Sequence, residues 1–154
     1  MRLHVLEQEQ YLPEPPEEAF AFFADAFNLE AITPPWLRFR VVTPRPIAMA
    51  PGALIEYRLR LHGAPVRWRT RIAVWEPGVR FVDVQVSGPY RLWHHTHEFR
   101  PEGEGTRMRD TVRYGLPLGL LGEAADVLLV RRDVAAIFSF RREAIARRIA
   151  GRRG

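Results

Sequence analysis

The sequence predicts an α+β fold: a curved antiparallel sheet of about seven strands gripping a long C-terminal helix, with two short helices after the first strand and an internal cavity. Three observations carry this. Arginines alternate with apolar residues over three separate segments, which is the two-residue period of a sheet with one wet face. Short turn signals join these segments to two further strand candidates, and short links imply antiparallel neighbours. One long stretch, Glu123 to about Ala150, holds no proline or glycine and repeats its apolar residues at helical spacing.

Residues 2–12 read as a strand that ends at Pro13. Pro15-Pro16-Glu17-Glu18 then opens a helix, since proline suits the first turn and acids favour its positive end. Ala19, Phe20, Phe23 and Phe27 lie three and four apart and give this helix one aromatic face, running to about Ala26. A second short helical piece, Leu29–Ile32, stops before Pro34-Pro35. From Leu37 the period changes to two. In Ile55–Leu61 the apolar residues share one face, and Glu56, Arg58 and Arg60 the other. Arg67–Ile72 repeats the alternation, as does Thr106–Tyr114, with Arg107, Arg109 and Arg113 opposite Met108, Asp110, Val112 and Tyr114. Val79–Ser87 and Leu92–Arg100 are strand candidates between them. The turns fall at His62-Gly63-Ala64-Pro65, Glu76-Pro77-Gly78, Gly88-Pro89 and Glu102-Gly103-Glu104-Gly105. In the last segment Val127, Val130, Val134, Phe138, Ile145 and Ile149 step by three, four and seven, a helix stripe fit to cover the sheet's dry face.

The 154 residues match one ordinary domain, 1–154, and the 47% apolar content is globular rather than disordered. No apolar run approaches the roughly 18–20 residues of a membrane span, and the N-terminus turns polar before a signal-peptide core can form. A cytoplasmic protein without integral membrane association is the expectation. Absence of cysteine excludes disulfides, thiolate zinc sites and cysteine nucleophiles. All 23 basic residues are arginine, giving a net charge of +5. The pairs Arg131-Arg132, Arg141-Arg142, Arg147-Arg148 and Arg152-Arg153 recur along the last helix and read as its solvated side. Nearby acids and the lack of interleaved surface aromatics argue against specific nucleic-acid binding.

The order of strand, helix pair, meander and long helix resembles the START / polyketide-cyclase-like superfamily, also called SRPBCC or helix-grip proteins. Local stretches share the likeness: Asn28-Leu29-Glu30-Ala31-Ile32-Thr33-Pro34, Phe81-Val82-Asp83-Val84-Gln85, Gly88-Pro89-Tyr90, Trp93-His94-His95-Thr96-His97-Glu98-Phe99 and Gly105-Thr106-Arg107-Met108-Arg109-Asp110. They resemble a bacterial subgroup of uncharacterised members. The superfamily includes lipid carriers, hormone receptors and aromatase/cyclases, so the resemblance implies a hydrophobic cavity rather than one activity.

Period-two arithmetic places Trp93, His95, His97 and Phe99 on the inner face of their strand, and His94, Thr96, Glu98 and Arg100 outside. Phe81, Asp83 and Gln85 share a second face, taken as inward, although Val82, Val84 and Val86 would also suit a core. Asp110 shares the inward face with Met108 and Val112. Buried acids and histidines are costly unless they satisfy one another, and each stabilises the other's charged form. Such a group reads either as a register-fixing network or as a polar anchor for an apolar ligand. Tyr57, Trp68, Asp83, Gln85, Trp93, His95, His97, Asp110 and Tyr114 are the candidate ligand-binding residues.

Histidines two apart can chelate a metal with Asp83 or Asp110, yet the downstream carboxylate spacing of two-histidine barrels is missing, so no metal and no cofactor is expected. Ser87 and Ser139 sit in no nucleophile turn. Gly115–Gly122 lacks the lysine of a phosphate loop and, with Pro46–Gly52, is either a cavity lip or a plain connection. The expected function is binding of a hydrophobic or aromatic small molecule, lipid or polyketide-like, for carriage or sensing. The alternative is a cyclase or dehydrase in which His95 or His97, tuned by Asp83 or Asp110, moves a proton. The sequence leaves open which holds, and leaves the oligomeric state open.

Overall fold

The computed structural model describes residues 2–153, without the side chains of Asp126, Val127, Arg152 and Arg153. The Val127 position of the expected stripe and the Arg152-Arg153 pair therefore lie outside the described side chains. In chain order the elements are β1 (His4–Leu12), α1 (Pro16–Ala24), α2 (Asn28–Ala31), a 3-10 turn (Pro35–Leu37), β2 (Arg40–Val41) and β3 (Leu54–Leu61). They continue with β4 (Ala64–Glu76), β5 (Arg80–Ser87), β6 (Leu92–Glu102), β7 (Gly105–Gly115), α3 (Gly119–Ala125), a π-helical stretch (Asp126–Val130) and α4 (Arg131–Arg153).

The strands form one sheet in the order β1-β7-β6-β5-β4-β3-β2, with every neighbouring pair antiparallel. This is the meander that the short turns demanded, extended by β1, which closes onto β7 with His4 opposite Tyr114 and Leu12 opposite Thr106. The segment after Leu37 departs from expectation. Only Arg40 and Val41 pair as strand, because Pro44, Pro46 and Pro51 remove the backbone donors a longer ladder needs.

β4 carries two register shifts against β5, one between Arg69 and Thr70 and one between Ile72 and Val74. The second lets Ile72 and Trp75 both face the interior across from Asp83 and Phe81, while Val74 stands opposite Val82 on the outer face. Val82 is nonetheless buried there, which explains why its strand reads equally well in either orientation. Elsewhere the outer face is charged, and three of its arginines find acids: Arg107 with Glu102 at 2.8 Å, Arg109 with Glu7 at 3.0 Å and Arg80 with Glu76 at 3.1 Å.

Inside, α1 opens with Pro16 in its first turn and Glu17 and Glu18 at its positive end. Its Phe20 and Phe23 pack with Phe81, Phe99 and Met108 of the sheet and Ile145 of α4. Each such ring, fully buried, contributes on the order of 1.5–3 kcal/mol. A second cluster joins Ile55, Tyr57 and Ile72 to Phe39 and Met49, and a third joins Val112 and Tyr114 to Val134 and Phe138. α4 thus lies across the sheet, and the three clusters leave a cavity between them. No described helix is long and apolar enough to cross a membrane.

Candidate functional site

The cavity offers about 140 Å³ to water-sized molecules. Its walls come from the sheet (Ile55, Tyr57, Leu59, Trp68, Ile72, Phe81, Asp83, Trp93, His95, His97), from α4 (Val134, Ile137, Phe138, Arg141) and from the α1–β3 region (Phe23, Ala26, Leu29, Thr33, Leu37, Phe39, Met49). The lining is mostly apolar, with its acid, imidazole and guanidinium groups on β5, β6 and α4.

Those groups are wired together. Asp83 pairs in register with His95, and Asp110 with His97, so that neighbouring strands bring two acids and two imidazoles onto one patch. His97 Nε2–H donates to Asp83 Oδ2 at 2.7 Å, and His95 Nε2–H donates to Asp110 Oδ1 at 2.7 Å. His97 Nδ1 lies 3.1 Å from the same Asp110 oxygen, within ion-pair range but poorly aligned for a hydrogen bond. The two imidazoles stack on each other with centroids 3.6 Å apart, and Phe81 stacks on the far side of His97 at 3.9 Å.

Burial and mutual charge decide the protonation states. For His95, burial and then the neighbouring His97 charge push the imidazole down to about 4, against the pull of Asp110 and Asp83, so it is neutral at pH 7. Burial also acts against a charged His97, but the close approach of Asp110, the hydrogen bond to Asp83 and the negative charge of both outweigh it and raise its pKa. Burial would raise both carboxyls, yet bonds to the imidazoles and nearby positive charge hold Asp83 and Asp110 below the usual carboxylate range. Tyr57 is pushed well above the ordinary phenol value by burial and then by Asp83, so it remains a neutral hydroxyl. The patch therefore holds two carboxylates and at most one imidazolium, so it is net negative.

Of the sequence-derived candidates, Tyr57, Trp68, Asp83, Trp93, His95 and His97 line the cavity. Asp110 stands behind the two histidines, 6% exposed and off the cavity wall. Tyr114 lies beyond Trp93, packed with Val134 and Phe138 and stacked on His4. Gln85 is spent elsewhere: its amide nitrogen donates to the Tyr90 carbonyl at 2.6 Å and its oxygen accepts from the Tyr90 N–H at 3.1 Å. This clamp fixes the β5–β6 turn, and with it Tyr90, which does line the cavity. Of the two loops weighed as a lip, only Met49 reaches the wall, while Leu118, Leu120 and Leu121 are exposed.

Arg141 is the residue that sequence reasoning placed on the wrong side. The arginine pairs were read as the solvated face of the last helix, yet Arg141 lines the cavity beside Phe138. The signal was present in the stripe, where the step of seven from Phe138 to Ile145 skips a position that Arg141 fills at three and four.

Asp83, His95 and His97 each bring one ligand atom within 4.8 Å of the others, the arrangement from which a metal site is built. Both Nε2 atoms already serve the carboxylates. His97 Nδ1 is left without a hydrogen-bond partner among the described residues.

With fold and cavity defined, the family follows. Residues 4–150 match the family described as polyketide cyclase / dehydrase and lipid transport, and the chain belongs to it. Solved structures share the fold over most of their length. A Thermus thermophilus protein is 24% identical, with 93% of this chain and 97% of that one aligned at a TM-score of 0.66. A Chromobacterium violaceum protein is 15% identical, covering 93% and 95% at a TM-score of 0.72. The Zhui aromatase/cyclase of a Streptomyces species is 14% identical, covering 93% and 94% at a TM-score of 0.66. No curated protein matches the sequence significantly.

Proposed function

We propose that the chain binds a compact, largely aromatic small molecule in the cavity between sheet and α4, for carriage or sensing. The observation that carries this is an apolar cavity with convergent polar groups on one wall, the usual form of a small-molecule site. Size refines the ligand. An engineered cavity of about 150 Å³ takes up benzene, so the space here suits a ligand built on about one ring. An extended acyl chain or a fused polycycle would require α4 or the 33–49 segment to move. The family includes lipid carriage, and the small volume favours the aromatic end of that range.

The second reading, proton-transfer chemistry of the cyclase or dehydrase type, is favoured by one feature: His95 and His97 stand stacked with opposite pKa shifts, a pattern that separates base from acid. Against it, an imidazole held to about 4 is a weak base at neutral pH, below the range in which acid–base catalysis is efficient. Binding is therefore the reading we adopt.

Native mass spectrometry of gently purified protein, followed by titration with toluene while reading tryptophan emission, tests it. Trp68 and Trp93 stand edge to face at 5.1 Å on the cavity wall and will report an occupant. A retained small mass and a saturable emission change are expected. Absence of both would overturn the reading.

A further inference from the structure

Arg141 sits in the apolar stripe of α4, between Phe138 and Ile145, and its guanidinium carbon stands 4.9 Å over the Phe138 ring. Its Nε and Nη1 are buried and find no hydrogen-bond acceptor among the described residues. No described carboxylate lies within ion-pair range of it, although Asp83 and Tyr57 both feel its charge. A buried donor left unsatisfied is costly, and more so when charged. Such groups persist where something outside the chain completes them.

We propose that Arg141 is an anion-recognition residue of the cavity and that the ligand is a compact aromatic acid, whose carboxylate supplies the acceptors missing at Nε and Nη1 while its ring rests among Trp68, Trp93 and Phe138. This inference rests on the cavity being a ligand site. The Asp83, His95 and His97 patch on the opposite wall, backed by Asp110, sets the orientation. Asp83 repels a carboxylate, so the acidic end is directed to α4 and the ring toward the tryptophans. A competing structural role exists, in which Arg141 serves only as a distant counter-charge to the net negative patch. The two roles separate experimentally, because a counter-charge needs no ligand and shows no preference among ligands.

Benzoate, benzamide and toluene are the probes, similar in ring and size but differing in charge. Calorimetry and tryptophan emission with the wild-type chain should show benzoate bound about tenfold or more tighter than benzamide, the gain typical of hydrogen bonds to a charged group. In Arg141→Met the benzoate-to-benzamide ratio should fall to near one while toluene still binds. Arg141→Lys should keep part of the preference. A wild-type chain that binds toluene but holds benzoate no tighter than benzamide overturns this inference and leaves the cavity reading standing. The same holds if Arg141→Met retains the preference. Failure of all three probes overturns both. Should Arg141→Met not fold, the wild-type ratio and the Lys variant decide the matter.

Discussion

The imidazole of His95 lies face to face with that of His97, ring centroids 3.6 Å apart and planes 28° from parallel, in a site almost closed to solvent. At that distance in a low-dielectric interior two positive rings repel strongly, so the pair holds at most one extra proton. It resides on His97, whose nitrogens face Asp83 and Asp110.

This sharing gives stability a pH optimum. Between about pH 4 and 6.5 the unfolded chain protonates both imidazoles, whereas the folded site holds one proton. The unfolded state binds more protons, so stability rises with pH across that window with the slope of one proton. Above pH 6.5 the unfolded chain has released both while folded His97 keeps its own, so its contribution is lost as pH rises through its raised pKa. Below about pH 4 the depressed carboxyls add to the acid loss. Urea titrations should place the site's contribution, taken as wild type minus His95→Gln and His97→Gln, at a maximum near pH 6.5. A flat difference across pH would contradict the shared proton.

Asp110 and Asp83 should prove unequal. Asp110 accepts from His95 at 2.7 Å and lies 3.1 Å from His97, with a side chain 9% exposed, while Asp83 accepts from His97 alone and is 20% exposed. Replacing Asp110 by Ala leaves the buried imidazolium half unpaired and should cost about 3–5 kcal/mol. Asp83→Ala should cost clearly less in the same equilibrium denaturation, and the reverse order would show that the bonding pattern is misassigned.

Filling the cavity should separate binding from folding. Ala26 lines it, and Ala26→Leu adds side chain into open space rather than into a packed core, where overpacking costs about 1–3 kcal/mol. Thermal stability should hold or rise while toluene binding is lost. A well-folded Ala26→Leu chain that still binds toluene at wild-type affinity would place the ligand elsewhere.

The Gln85 clamp should act on stability and on the site together. Gln85→Leu removes two hydrogen bonds to the Tyr90 backbone and should cost about 1–3 kcal/mol. Tyr90 packs on Trp93 at 4.8 Å, so tryptophan emission of the folded variant should also shift. An unchanged spectrum and melt would show that the turn holds without it.

The arginine-rich outer face should not bind nucleic acid specifically, since Arg80, Arg107 and Arg109 are engaged by Glu76, Glu102 and Glu7. Anisotropy titrations with duplex and single-stranded oligonucleotides at about 0.15 M salt, where exposed charges are largely screened, should stay flat. Saturable, sequence-selective binding there would refute this.

The alternation of arginine with apolar residues made the sheet legible, because a sheet with one wet face writes its period directly into the chain. The inward set on β6 was readable for the same reason. Three features were not. The β4 bulges change face within a strand, and a fixed period of two cannot follow them. Gln85 has the right parity for the interior, but its length lets it fold back onto the Tyr90 backbone. Arg141 carries the polar label of a surface residue, and only its position within the stripe of α4 betrays where it sits.

The pairing of β1 with β7 also sets a timetable. Glu7 meets Arg109 across 102 positions of chain, which translation takes on the order of 5–20 s to add. Through that interval β1 waits as an unpaired edge while the β3–β6 meander is laid down beside it, and α4, which covers the inner face, arrives later still. Sheets built on such distant closures are slow to assemble and exposed to neighbours meanwhile. Glu7 and Glu9 put like charges at alternate positions of β1, which disfavours pairing of that edge with another copy, and in the folded sheet Arg109 lies within reach of both.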